Sequence, residues 1–142
     1  MSKIERYTHE FVEFIPDDLE PGVLYLSTSY ATATHLCMCG CGFEVTSPFS
    51  PQQWCMIFDG RTASVSPSIG NWSFECQSHY WLDRGTVDWA ARWSPERIAA
   101  GRAKTRRRID VATGERPAVV EPPPSDGDKP SWFKRLWSRL RQ

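Results

Sequence analysis

HLCMCGCGFEV, residues 35–45, places three cysteines at alternate positions and a glycine after each of the last two. Glycines permit the positive φ angles of a tight turn, and such a turn brings alternate side chains together. Zinc prefers a tetrahedral shell of thiolate and imidazole ligands. The stretch therefore predicts a zinc-binding turn whose ligands are Cys37, Cys39 and Cys41.

A fourth ligand has to come from a distant segment of the chain. Cys76 is the best candidate because it opens a second compact motif, CQSH, residues 76–79. The imidazole of His79 or of His35 is the alternative, so four thiolates and three thiolates plus one imidazole both stay open. Cys55 lies in an apolar segment and fits a buried core thiol better than a ligand. A cysteine-rich shell fills the metal's coordination positions, so the expected zinc is structural.

The compartment expected from the sequence agrees with a metal. The chain opens with MSKIERYTHEF, which has no apolar segment typical of a secretory signal. It also has no run of about twenty apolar residues that would span a membrane. We therefore expect a cytoplasmic protein, in which clustered cysteines indicate a metal rather than disulfides.

The charge of the chain is divided between its two parts. Residues 1–90 carry eleven acids and four bases, a net charge of −7, whereas residues 91–142 carry six acids and thirteen bases, a net charge of +7. The acidic part is a poor partner for nucleic acid, and no nucleic-acid partner is expected. The basic part would bind a phosphate-rich surface or fold back on the acidic part.

Short segments with β-branched and aromatic residues, separated by turn residues, fill the acidic part. The predicted strands are 9–16, 23–29, 43–48, 53–58, 61–66, 71–76, 79–82 and 86–90. Asp59 and Gly60, between two of them, are typical of a two-residue hairpin turn. The pattern predicts a mainly β fold: a small antiparallel, zinc-stapled β domain over residues 1–92, with a C-terminal helix and a flexible tail.

The pattern changes after this domain. SPE, residues 94–96, supplies an N-cap, a proline at the first helical position and an early acid, and a basic helix is predicted over residues 93–110. Residues 111–130 are rich in proline and predict a disordered linker. Residues 131–142, SWFKRLWSRLRQ, predict a basic amphipathic helix. We expect this tail to dock weakly on an anionic membrane or a partner, or to pack against the acidic domain.

Three residues are candidates for nucleophilic chemistry. Ser68 lies in SPSIGNW, residues 66–72, which is expected to form a turn between two strands and to display its side chain. A serine nucleophile needs a base within hydrogen-bond reach, and His79 is preferred, with Glu44 orienting its ring. His35 is the alternative base, and it is also a candidate ligand or a donor to a thiolate. A turn-capping Ser68 and a purely structural His79 are the alternative to this chemistry.

Three ordered blocks, HLCMCGCGFEV, SPSIGNW and CQSHYWLDRGTVDWA, resemble the signature of a bacterial domain family encoded beside genes for ubiquitin-like proteins and their E1- and E2-like enzymes. The resemblance covers residues 9–90. It implies a zinc-associated, serine-type peptidase that processes or removes the ubiquitin-like protein, with that protein and its E1- and E2-like enzymes as partners. Carried over by motif, the matching positions are His35, Cys37, Cys39, Cys41, Ser68, Cys76, Ser78 and His79.

A second interpretation needs no nucleophile. The zinc-stapled domain would act as an E3-like adaptor that binds a conjugating enzyme or the modifier, with its acidic face against a basic patch of the partner. Replacement of Ser68 and of His79 by alanine separates the two interpretations.

Overall fold

The computed structural model describes residues 2–114 and has two four-stranded sheets followed by one helix. The strands are β1 (Thr8–Phe11), β2 (Val23–Ser27), β3 (Thr32–Leu36), β4 (Glu44–Pro48), β5 (Cys55–Phe58), β6 (Ala63–Gly70), β7 (His79–Asp83) and β8 (Thr86–Trp89), and the helix is α1 (Pro95–Thr113). The sheet orders are β1-β2-β3-β4 and β5-β6-β7-β8. The predicted mainly β fold with a C-terminal helix is confirmed.

Neighbouring strands are antiparallel except at one edge, where β1 runs parallel to β2 with Thr8 opposite Val23. The parallel pair is the one exception to the predicted antiparallel pairing among the described strands. A tight hairpin cannot join parallel strands, and the intervening proline- and acid-rich segment, residues 12–22, supplies the longer crossover.

The two sheets share one hydrophobic core. Central strands of both sheets supply Leu24, Leu26, Tyr80 and Leu82 to its most buried part, and the cysteine turn supplies Met38. The N-terminal segment ties the sheets together, because the Tyr7 backbone N–H donates to the Gly85 carbonyl at 3.0 Å and the Tyr7 hydroxyl donates to the Ala63 carbonyl at 2.6 Å. These two bonds hold the N-terminal segment against the second sheet.

Three local predictions differ from the structure. Strand β3 was not predicted, because its buried centre contains the polar residues Thr34 and His35, which do not look like core positions. Residues 71–76 form turns rather than a strand, with the Gln77 N–H donating to the Phe74 carbonyl at 3.0 Å. Ser68 lies within β6 and not in a turn.

The pairing of β6 with β7 is irregular where Ser68 lies. Val65 is opposite Leu82 and Ile69 is opposite Tyr80, so four steps along β6 match two along β7. The extra residues of β6 form a bulge, which re-aims the side chains it contains. This bulge positions Ser68 beside the neighbouring strand.

Helix α1 begins as predicted. The Ser94 side chain accepts a hydrogen bond from the Arg97 N–H at 3.3 Å, and Pro95 follows at the start of the helix. The helix continues to Thr113, past the predicted boundary at residue 110. The rest of the predicted linker and the predicted tail helix over 131–142 lie outside the described residues. Within residues 2–114 no helix has the length and apolar character needed to cross a membrane.

Candidate active site and cysteine cluster

The structure brings Ser68 and His79 together. The Ser68 Oγ and the His79 Nε2 lie 2.9 Å apart, a hydrogen-bond distance. Strand pairing explains the contact, since His79 is opposite Gly70 and the β6 bulge directs Ser68 towards it. The imidazole is buried and the hydroxyl is half-buried, and both line a groove of about 1160 Å³. The two side chains thus meet at a groove that a ligand could enter.

Three indoles surround the imidazole of His79. The ring centroids of Trp72, Trp81 and Trp93 lie 5.0, 5.3 and 4.8 Å from it. Burial lowers the pKa of His79 from its ordinary value; the Ala91 backbone acts in the opposite direction, and the positive charge of Arg97 lowers the pKa again. The ring is therefore neutral at physiological pH and can accept a proton.

Two glycines make room for two of these indoles. A Cβ atom at Gly70 would lie 2.5 Å from the Trp72 Nε1, and one at Gly101 would lie 3.2 Å from the Trp93 ring. The two indoles stack on each other with centroids 5.3 Å apart and an interplanar angle of 23°. Gly70, Trp72, Trp93 and Gly101 thus form a continuous layer from β6 to α1, which we call the indole layer.

No carboxylate orients the His79 ring in the described part of the chain. Its Nδ1 is buried and makes no hydrogen bond of good geometry there, although the Ala91 backbone lies close enough to raise the pKa of the ring. Glu44, the expected orienting residue, is exposed at the start of β4 and makes no hydrogen bond to His79 within residues 2–114, so the structure does not support that role. Packing against the indoles fixes the ring instead.

His35 belongs to a different environment. It is fully buried on β3, and its Nε2 lies 2.8 Å from the Tyr80 hydroxyl. Burial lowers the pKa of His35 to about 3. The structure forms no hydrogen bond between His35 and Ser68 or His79 among the described residues. His35 is also absent from the group of side chains that could hold a metal ion.

Four cysteine sulfurs converge as the sequence predicts. The Sγ atoms of Cys37, Cys39, Cys41 and Cys76 all lie within 4.8 Å of one another. The Cys37 sulfur is 3.5 Å from that of Cys39 and 3.9 Å from that of Cys76, and 3.9 Å separates Cys41 from Cys76. A tetrahedral zinc with bonds of about 2.3 Å requires sulfurs about 3.8 Å apart. The cluster therefore fits a metal ion of this kind.

The ligand turn and its partner come from two separate loops. Gly40 and Gly42 have positive φ angles of 87° and 82°, as the predicted tight turn requires. Burial raises the pKa of Cys37 and of Cys39. Burial acts in the same direction on Cys76, but hydrogen bonds with Ser78 and, after them, with Cys39 and Cys41 together lower its pKa to about 7. Cys55 is exposed and outside the cluster, so its predicted burial is wrong.

A buried polar network lies beside the cluster. The Asn71 Nδ2 donates to the Ser78 Oγ at 3.0 Å and to the Tyr80 hydroxyl at 3.3 Å, and the Ser78 Oγ lies 3.0 Å from the Cys37 Sγ. His35 completes the network through Tyr80. Asn71 is a further polar residue of this network that was not predicted, although its place between Ile69-Gly70 and Trp72 is a signal that could have identified it.

The sequence did not predict which tryptophans form the indole layer. Tryptophans in the middle of the chain are expected to fill a core or line a groove. Nothing in their spacing shows which of them meets His79, because the contact of Trp93 with β7 depends on the path of the chain after β8. This contact places α1 next to the reactive pair.

A serine hydroxyl that meets a neutral imidazole in an open groove is the arrangement found in serine hydrolases. The chain belongs to the bacterial ubiquitination-like system serine protease (BubE) family, whose family model matches residues 11–90. This range includes Ser68, His79 and the cysteine cluster, and it confirms the resemblance to a domain linked to ubiquitin-like conjugation. No curated protein and no solved structure gives a significant match to the chain.

Proposed function

We propose that the protein is a serine peptidase that cleaves at the C-terminus of a ubiquitin-like protein, to process its precursor or to remove it from a target. The observation that carries the proposal is the 2.9 Å contact between the Ser68 Oγ and the His79 Nε2 at the floor of an open groove. An E3-like adaptor would have no need of this pair.

The chemistry assigned to the pair is acyl transfer. Ser68 attacks the scissile carbonyl while the His79 Nε2 takes its proton, which forms a tetrahedral intermediate. The imidazolium returns this proton to the leaving amine as the C–N bond breaks, and an ester of Ser68 remains. Water then attacks the ester, with His79 again as base, and releases the carboxylate and the free serine.

Backbone amides around Gly70 are the proposed donors to the oxyanion. Gly70 is exposed and follows Ser68 by two residues on β6. Oriented backbone N–H groups stabilise the developing negative charge without reorganisation during the reaction. This role needs only the main chain, so no side chain has to be supplied.

The groove suits an extended polypeptide tail. The pairing of β5 with β6 ends at Cys55 opposite Ser66, so residues 67–70 of β6 have no neighbouring strand on that side among the described residues. A substrate tail can add to such an edge through main-chain hydrogen bonds. Trp72 and Trp93 narrow the groove, which favours a tail that contains glycine.

The four clustered cysteines are the proposed ligands of a structural zinc. Bound there, the ion would join the 37–41 turn to the loop that contains Cys76 and so hold both loops against the core. Four thiolates leave no position for water, so no step of the proposed reaction involves the metal. The ubiquitin-like protein and its E1- and E2-like enzymes are the proposed partners.

The proposal is tested with a ubiquitin-like protein that carries a short C-terminal extension. We expect the wild type to cleave this protein and Ser68→Ala to be inactive. Ser66→Ala, at an exposed serine on the same strand, should retain cleavage. Equal cleavage by wild type and Ser68→Ala would exclude Ser68 as the nucleophile. Absence of cleavage, with binding of the modifier retained in every variant, would favour the adaptor.

A further inference from the structure

Helix α1 forms one wall of the groove that holds Ser68 and His79, although it lies beyond residues 11–90, the range matched by the family model. The α1 residues on this wall include Gly101, Arg102, Thr105 and Arg106. The opposite wall comes from the β domain, through Pro67 and Trp72. A part of the chain outside the family match thus contacts whatever enters the groove.

The wall is anchored at its N-terminal end. Ile98 is the buried residue of α1, and Gly101 lies against Trp93 in the indole layer. The Arg97 guanidinium lies 4.4 Å above the Trp93 ring, a cation–π contact. The Arg102 Nη2 donates to the Ser73 Oγ at 3.1 Å across the groove. The position of α1 is therefore set by the same rings that hold His79.

The wall carries a charge opposite to that of the β domain. Residues 91–114 contain seven bases and two acids, a net charge of +5, against −7 for residues 1–90. Arg102, Arg106 and Arg108 line the groove, and Asp110 is the one acidic residue there among the described residues. Within residues 2–114 a salt bridge joins Arg84 to Asp83, and neither residue belongs to this wall. Among the described residues no carboxylate pairs with the guanidinium groups on the groove side of α1, and the hydrogen bond of Arg102 to Ser73 uses one of its five N–H donors. These groups can therefore still meet an anion.

We propose that Arg102 and Arg106 make α1 a specificity wall, which selects polypeptides with acidic residues close to the scissile bond. The occupant is an acidic substrate tail, whose carboxylates pair with the guanidinium groups while the main chain lies along β6. The identification of the occupant as a substrate rests on the proposed function. Two solvent-exposed charge pairs give about a tenfold preference in affinity, which salt weakens.

Binding is measured in a Ser68→Ala background so that no peptide is consumed. The probes are two fluorescent peptides with a central Gly-Gly, flanked by glutamates in one and by lysines in the other. We expect the glutamate peptide to bind about tenfold more tightly at low salt, and this ratio to shrink towards one in about 0.5 M salt. Equal binding of the two peptides, or binding of neither, would overturn the proposal.

Matched charge reversals locate the effect. Arg102→Glu with Arg106→Glu should abolish or reverse the preference. Lys104→Glu with Arg107→Glu makes the same change of charge on the same helix, at positions that do not line the groove of Ser68, and should leave the preference within about twofold. An equal loss in both double variants would mean that overall charge, not the wall, attracts the peptide.

Two further outcomes are separable. Cleavage of the extended ubiquitin-like protein without any charge preference would retain the proposed function and overturn the specificity wall. A charge preference without cleavage by the wild type would retain the specificity wall and overturn the proposed function. A DNA duplex that binds more tightly than the glutamate peptide, with the same sensitivity to Arg102 and Arg106, would assign the wall to nucleic acid and overturn the proposal.

Discussion

Two polar centres are supplied by adjacent residues where the chain enters β7, and they lie on opposite sides of the backbone. Ser78 directs its hydroxyl to Cys37 in the buried network, whereas His79 directs its ring to Ser68 at the groove. Successive side chains of an extended strand point to opposite faces, so a single backbone segment supplies both centres. The interior centre is enclosed by the core, and the groove centre is open to solvent on one side.

We expect changes in the interior centre to lower the stability of the fold and changes in the groove centre to lower the rate of the reaction. Buried polar groups that lose a partner cost free energy of folding, because water cannot replace the partner. A pair at the floor of a groove keeps access to water, so its loss affects the reaction much more than the fold. Variants of the two centres should therefore fall into two classes.

The largest effect is expected in the cysteine cluster. Cys37→Ser removes a buried sulfur that lies near Cys39, Cys76, Ser78 and Asn71, and with it one ligand of the proposed zinc. We expect loss of bound metal and a fall of several kcal/mol in the free energy of unfolding, since structural zinc binding contributes directly to folding. Metal analysis and thermal unfolding measure both quantities. Cys55→Ser, at an exposed cysteine outside the cluster, is the control and should change neither.

At the groove, His79→Gln should lower kcat/KM by about a thousandfold, because removal of a general base from a serine nucleophile has effects of this size. The melting temperature should fall by only a few degrees, since glutamine fills much of the space between the indoles. His9→Gln is the matched control, on β1 beside Phe11 and Phe58, and should leave the rate unchanged. A rate retained in His79→Gln would remove the distinction between the two centres.

Tyr80→Phe tests the interior network without touching the cluster. The Tyr80 hydroxyl has three contacts, to the His35 Nε2, the Asn71 Nδ2 and the Met38 N–H. Its removal leaves buried donors or acceptors unpaired and should lower the free energy of unfolding by about 2 kcal/mol. Urea-induced unfolding measures this change. The rate of cleavage should stay within about twofold. Tyr30→Phe, at an exposed tyrosine, provides the comparison and should show no loss.

Variants of the indole layer test whether this layer positions His79. Gly70→Ala forces the Trp72 indole to move, since the new Cβ would lie 2.5 Å from the ring, and the ring of His79 loses its support. We expect about a tenfold lower kcat/KM with little change in stability. Gly101→Ala makes a milder contact, 3.2 Å from Trp93, and should have a smaller effect. A reversed order of the two variants would show that the layer does not position His79.

The smallest expected effect is on the pH profile. Burial and Arg97 hold the pKa of His79 below its ordinary value of 6.5, so its ring stays neutral and active as pH falls to about 6.5. Protonation at lower pH removes the base, and the rate should fall there. Arg97→Gln removes the positive charge, which raises the pKa and moves this acid limb to higher pH. Arg92→Gln should leave the profile in place, and an unchanged profile in Arg97→Gln would contradict the assignment of His79 as base.

Much of both centres follows from local pattern. Alternate cysteines with intervening glycines predict the turn that carries the proposed ligands. Because neighbours in a strand point to opposite faces, Ser78 is a poor partner for His79, and this favours Ser68 as its partner. The hairpin at Asp59-Gly60 and the N-cap at Ser94 are equally local. What is set by neighbours far along the chain was not predictable: the bulge of β6 around Ser68 depends on its pairing with β7.

Contacts between residues far apart in the chain were the hardest to predict from the sequence. His35 looked like a base or a ligand because it precedes the cysteines, yet β3 turns it into the core towards Tyr80. Trp93 was separated from the β domain by the predicted boundary at residue 92, although its ring packs on His79. In both cases the partner is more than ten residues away, and sequence spacing contains no information about such contacts.

Covalent labelling by a fluorophosphonate tests the central claim most directly, because this reagent forms a bond with an activated serine oxygen as fluoride leaves. The predicted result is one adduct for each chain, mapped by mass spectrometry to Ser68, absent in His79→Gln and retained in His9→Gln. An adduct on another residue, or labelling of Ser68 that does not depend on His79, would contradict the account.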